Sequence, residues 1–321
     1  MGDIAKGVLG GGWALLVGWV LPSAINLAVF FFAVAPSLEG LGLVRQLWPS
    51  TQSGTMTLLL VCAVLLGLVL SSLQQPLYRF LEGYALWPQR AYDRGLRTQR
   101  ARRQRLAELV AQPGHPTLRL AVLQEQLSRY PIGDEQIAPT RLGNAIRRFE
   151  EYGHDRYRLD TQVLWNELTG AAPGPAVRQT ETARTPVDFF VALLYGHALL
   201  TLTALGALAA GHADRALLVP TAAVALALIP VWYRSAVVAT DEWAAAVRAL
   251  VNVGRKPLAD ALGLVLPKEL AEERRMWQLV TRMSRRPYHP AAEAAFAPYR
   301  MDPDRVAPMP GTPVVPGQPQ P

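Results

Sequence analysis

Four stretches of the chain are apolar and almost free of charge over about 20 residues, the length a helix needs to cross a bilayer core of about 30 Å. The first runs from about residue 8 to 36 without a single charged side chain, and the second covers about 56–73. The third covers about 187–210 and the fourth about 216–233. Only five residues part the last two, which predicts an antiparallel hairpin. The first stretch is longer than the apolar core of a signal peptide, about 7–15 residues, and no small-residue cleavage site precedes its end. It is therefore expected to remain as a span, tilted or bent near Pro22.

Between and after these stretches the pattern is polar and helical. Residues 78–87 are expected to continue the second span or lie at the membrane surface. Pro88 opens a helix that runs to about Ala111 and stops at Gln112-Pro113-Gly114. Residues 117–130 form the next, stopped by Pro131. Thr140 can cap a helix over 142–152 that ends at Gly153, and Asp160 can cap another through Leu168. Residues 169–185, rich in Pro, Gly and Thr, read as a linker back to the membrane. After the fourth span, 241–253 and 267–284 are expected to be two separate helices, the latter with glutamates early, as the helix dipole favours. From Arg286 onward 36 residues hold ten prolines, so this tail is expected to be disordered. No strand alternation and no internal repeat is evident.

The charges orient the spans. Arg45 alone is basic between spans one and two, and Arg215 alone between three and four. Arg79 and then Arg90, Arg94, Arg97, Arg100, Arg102, Arg103 and Arg105 follow span two, against Glu82 and Asp93. Arg234, Arg248, Arg255 and Lys256 follow span four. Basic flanks stay in the cytoplasm, so both short connections are expected outside and both termini inside. Residues 76–186 hold 17 basic and 12 acidic side chains, and 234–321 hold 12 and 9. That surface would face an anionic inner leaflet, where each basic group near the membrane contributes about 1 kcal/mol. The 29 arginines against three lysines, with abundant Ala, Gly and Pro, fit a GC-rich bacterial genome.

Candidate chemistry is sparse. Cys62 is the only cysteine and the five histidines are scattered, so neither a disulfide nor a cysteine- or histidine-based metal site is expected. The glycines at 10–12 lack the strand and G-K-[ST] of a phosphate loop, and no serine stands in a nucleophile-elbow setting. No enzyme activity and no cofactor is therefore expected. Arg90–Arg105 is the densest charge run. With no stacking aromatics beside it, contact with anionic lipid is favoured over a protein partner, and nucleic acid least of all. In the third span His197 lies near mid-membrane, Thr201 one turn on and Asp188 near the inner end. With Asn26 of the first span they could line a polar path, since intramembrane ionisable groups are costly. The ordinary reading is a neutral histidine bonding between helices. Gly7, Gly11, Gly18, Gly206 and Ala210 offer small-residue spacing for close helix contact.

The run Leu142-Gly-Asn-Ala-Ile-Arg-Arg-Phe-Glu-Glu-Tyr152, followed by Tyr157-Arg-Leu-Asp160 and Trp165, resembles a segment of uncharacterised multi-pass bacterial membrane proteins. In those a G-N-x-x-R-x-x-E-x-Y-like run also sits between two pairs of spans. The resemblance covers some 25 residues and the topology, and it implies no activity. Physically, Tyr157, Leu159 and Trp165 can pack a small core.

Together these readings predict an all-α, four-span protein of a bacterial plasma membrane. Its expected parts are a first span pair (1–75), a basic helical region (76–186), a second hairpin (187–238), C-terminal cytoplasmic helices (239–285) and the tail (286–321). The expected role is a membrane-anchored scaffold or regulatory subunit that presents a cytoplasmic helical bundle to protein partners and anionic lipid. A homo-oligomeric channel or transporter with a path past His197 and Asn26 is the alternative.

Overall fold

A computed structural model describes residues 12–38, 51–209, 213–287 and 289–301. The beginning of the first span with Gly7 and Gly11, the segment holding Arg45, residues 210–212 with Ala210, and residues from 302 onward lie outside the described residues. Among those described the chain is helical with no strand, and an isolated bridge pairs Leu264 with Arg300. Four helices are long and apolar enough to cross a membrane: Gly12–Leu38, Gln52–Ser72, Gly174–Ala207 and Arg215–Ala261.

The chain divides into two compact units, one of residues 1–152 with 174–250 and the other of 153–173 with 251–321. In the first, the first span packs between the second and the third. Pro22 has no N–H to give, and a π-turn over Leu16–Val20 precedes it; a second covers Phe30–Val34. Glycines set the helix separations. A side chain on Gly67 would meet Val20 Cα at 2.8 Å, and one on Gly196 would collide with the Asn26 amide. Gly18 faces Asp188, whereas a Cβ on Gly206 would meet nothing within 4 Å among the described residues, which leaves that face open. Val34, Leu200, Ala204, Leu218 and Ala222 join the first, third and fourth spans in one apolar core.

The polar helices of this unit are Gln74–Glu82, Gln89–Ala111, Thr117–Ser128 and Arg141–Glu150. Pro88 and Thr140 begin two of them as the sequence predicts, Thr140 Oγ1 accepting from Gly143 N at 3.0 Å. Tyr130 donates to Gln99 Oε1 at 2.9 Å, fastening the second of these helices to the end of the third. The Gly143-Asn144 pair has a structural explanation. A Cβ on Gly143 would press on the Glu82 carbonyl, and buried Asn144 bonds Ala138 N, Ala138 O and Thr140 O.

The second unit is built from Trp165–Ala171, the end of the long fourth helix, Leu270–Arg285 and Pro290–Phe296. Glu273 is buried and paired with Arg255, whose guanidinium lies 4.5 Å from the Tyr157 ring centre. Tyr157 donates to Asn252 Oδ1 at 2.8 Å. Tyr157, Leu159, Leu164 and Leu168 are buried here, while Trp165 is only half-buried.

Several element boundaries differ from the pattern-based reading. The expected linker over 169–185 is largely helix, because Pro175 sits at a helix start, where its missing N–H is not needed, and the following residues tolerate helix. Residues 241–253 are not a separate helix but continue the fourth span without a break. Gly153 lies inside the short helix Tyr152–Tyr157, packed against Thr161 and the Leu159 carbonyl, instead of ending one. Asp160 caps the turn before Trp165, its Oδ1 accepting from Val163 N at 3.2 Å. Within the expected disordered tail, residues 290–301 are ordered: Phe296 is buried, and Val265 N donates to Tyr299 O at 2.8 Å.

Candidate functional site

The arginine helix separates its charges by face. Arg90, Arg94, Arg97 and Arg105 recur at helical spacing and are exposed, as is Arg100, while Gln99 and Leu106 are buried on the opposite side. Arg102 and Arg103 lie between those faces and are half-buried. Arg103 has a structural role, pairing with Asp134 and donating to Ile132 O at 2.7 Å. The seven arginines of the sequence motif thus form one exposed stripe of five and two inward side chains.

Asn26, Asp188, His197 and Thr201 are all buried. The fold brings Asn26 against Gly196, beside His197, and sets the His197 ring edge-on to Trp232 with centres 5.8 Å apart. These groups mostly bond within their own helices. His197 Nδ1 lies 2.9 Å from Leu193 O, which requires the proton on Nδ1 in the neutral ring. Thr201 donates to His197 O at 2.8 Å, and Asn26 Nδ2 donates to Pro22 O at 2.8 Å. Asn26 Oδ1 and Trp232 Nε1 are buried without a hydrogen-bond partner among the described residues. Asp188 is not brought to them: nine residues along a helix is about 13.5 Å.

Asp188 belongs to a second polar cluster, at the end of the third apolar stretch that lies next to the polar helices. Tyr78 donates to Asp188 Oδ1 at 2.7 Å, and Arg184 Nε stands 3.5 Å from Asp188 Oδ2. The Arg184 guanidinium lies between the rings of Tyr78 and Trp243, 5.6 and 5.3 Å from their centres, and Gln74 turns its amide toward it. Burial first, and the Asp188 carboxylate second, push the Tyr78 phenol well above its ordinary value, so it stays protonated and serves as a donor. The cluster ties the helix after the second span to the third and fourth spans.

A third junction joins Arg129 to Asp241. Arg129 Nε donates to Asp241 Oδ1 at 2.8 Å and Nη2 to Oδ2 at 2.6 Å, with Glu125 Oε1 also 2.6 Å from Nη2. Hydrogen bonding to Asp241 raises the Arg129 pKa, which keeps the guanidinium charged. Sequence reasoning missed Tyr78, Arg129, Trp243 and Asp241. The i,i+4 spacing of Arg184 and Asp188 was the one signal available; the rest join residues about 110 positions apart. Among the described residues no group of His, Cys, Asp and Glu side chains could hold a metal ion. Comparison with protein-family models, curated proteins and solved structures gives no match to the chain.

Proposed function

We propose that the chain is a non-enzymatic membrane-anchored scaffold or regulatory subunit, with its polar helices on the cytoplasmic side. One observation carries this reading: the polar helices are clamped to the membrane helices, by Arg129 on Asp241 and by Tyr78 on Asp188, instead of hanging on a flexible tether. A clamped bundle holds a surface at fixed height and orientation above the bilayer. The exposed stripe Arg90, Arg94, Arg97, Arg100 and Arg105 is then the face offered to anionic lipid or to an acidic protein surface.

Orientation is tested first. With Cys62 replaced by Ser, single cysteines at Gln104 and Ala213 should react with an impermeant thiol reagent from opposite sides, Gln104 from inside. Labelling of Gln104 from outside would remove the cytoplasmic assignment. The role is tested by photo-crosslinking in cells from Arg94 and Arg97. Discrete protein adducts support presentation to a partner, and lipid adducts support the membrane face.

The alternative, a channel or transporter, draws on Asn26 Oδ1 and Trp232 Nε1, two of the buried atoms left without a partner among the described residues. Less favourable to it, His197 and Thr201 bond along their own helix. Liposome flux of protons, monovalent cations or small anions that His197→Gln and His197→Leu both abolish would replace the scaffold reading.

A further inference from the structure

A cavity of about 220 Å³ opens between the arginine helix, the Thr117–Ser128 helix and the fourth membrane helix. One water needs roughly 10–15 Å³ of such space, so there is room for a larger guest. Arg102, Arg129, Arg141 and Arg234 line it, together with the apolar side chains of Leu106, Val237 and Val238. Arg129 is held there by Asp241 through Nε and Nη2, which fixes its guanidinium and leaves Nη1 out of those bonds. Among the described residues Arg102, Arg141 and Arg234 have no ion pair. Asp241 and Glu125 on Arg129 are the acids at this point, so the site keeps an excess of positive charge.

Like charges gathered around a partly closed space repel one another, and an anion between them relieves that repulsion. Guanidinium forks match phosphate oxygens in pairs, more closely than they match a halide or a single carboxylate oxygen. The height of the site adds to this. Tyr233 and Arg234 line it at the end of the apolar 216–233 stretch, where the headgroups of the inner leaflet would lie. Leu106, Val237 and Val238 in the lining suit the glycerol or first methylenes attached to such a phosphate. Asp241 holds Arg129 in place for packing, and the same bonds leave its guanidinium pre-positioned beside Arg102, Arg141 and Arg234 in the cavity lining.

We propose that this cavity binds one phosphate group, carried by an anionic phospholipid or by a soluble phosphate ester. The lipid form rests on the cytoplasmic membrane orientation proposed above, whereas the phosphate chemistry rests on the cavity alone.

The test is calorimetric titration of the full chain in a neutral detergent. The probes are dihexanoylphosphatidylglycerol, glycerol 3-phosphate and, as a phosphate-free control, dihexanoylglycerol. Saturable binding of one phosphate-bearing probe per chain is expected, with no binding of the control. Arg141→Gln and Arg234→Gln should each weaken it by about tenfold or more, as loss of a charge-assisted contact does. Arg141→Lys, which keeps charge but not the fork, should fall between, and thermal unfolding reports whether each variant is folded. Arg97→Gln with Arg100→Gln, on the exposed stripe, should bind as wild type. Preference for the phospholipid assigns the site to membrane lipid, and equal or better binding of glycerol 3-phosphate assigns it to a soluble ester. Unaltered binding in folded pocket variants, equal binding of the control, or loss confined to the stripe variant overturns the proposal. None of these outcomes depends on partner crosslinking or flux, so the scaffold reading and the pocket can fail separately.

Discussion

Arg129 holds Asp241 across 112 positions of sequence, with Nε and Nη2 donating to the two carboxylate oxygens at 2.8 and 2.6 Å. The pair locks the Thr117–Ser128 helix to the part of the fourth helix that continues beyond the apolar span. Asp241 is 38% exposed, so solvent screens part of the attraction. Asp241→Asn should therefore cost about 1–2 kcal/mol, less than a fully buried pair. A double-mutant cycle with Arg129→Gln, read by thermal unfolding in detergent, should return a clear coupling. Strict additivity of the two changes would show that the clamp contributes nothing.

Glu82 should make stability depend on pH. Burial, and secondarily the charge of Glu150, push its carboxyl from 4.5 to about 7. The folded state therefore takes up the proton more readily than the unfolded chain. Its stabilising contribution is present at low pH and is lost as pH rises through about 7. Glu82→Gln should flatten the fall in melting temperature over this window and raise stability at about pH 8 by on the order of 1 kcal/mol. A variant with the same pH profile as wild type would place the titration elsewhere.

Gly67 and Gly206 make a paired test of helix packing. Gly67→Leu drives a side chain into the Val20 backbone and should destabilise by about 1–3 kcal/mol. A Cβ on Gly206 meets nothing within 4 Å among the described residues, so Gly206→Leu should be tolerated. Scanning fluorimetry of both in one detergent compares them directly, and the reverse order would mean that the first two spans are not in contact at Val20.

Phe296 should anchor the last ordered segment. It is 4% exposed, and truncation of a buried phenylalanine to alanine costs about 3–5 kcal/mol in a well-packed core. In a short terminal helix the smaller figure is expected. Hydrogen exchange gives the local readout. In Phe296→Ala the Val265 and Met301 amides, which donate to Tyr299 O and Gly263 O, should lose protection while Leu142 N keeps its own. Unchanged exchange at Val265 would mean that the segment is held without Phe296.

The four apolar helices, the helical class and the caps at Pro88 and Thr140 could be read from the sequence, because each depends on local composition or on one side chain beside its own helix. Continuity of helices was less legible. Residues 169–185 and the join after Tyr233 look like breaks by composition, yet tertiary packing overrides weak propensity. Phe296 was hidden for a related reason: proline content argued against a core, and the ring is buried only once its short helix packs on the neighbouring Leu270–Arg285 helix. The clusters where the apolar helices meet the polar ones were out of reach altogether. Arg102, Arg129, Arg141 and Arg234 are scattered over more than 130 positions, and their chemistry exists only when folding makes them neighbours. Periodicity reports which face of a helix is apolar. Which charged side chains meet across that face is decided by how the helices cross, a property of the packed chain and not of any segment within it.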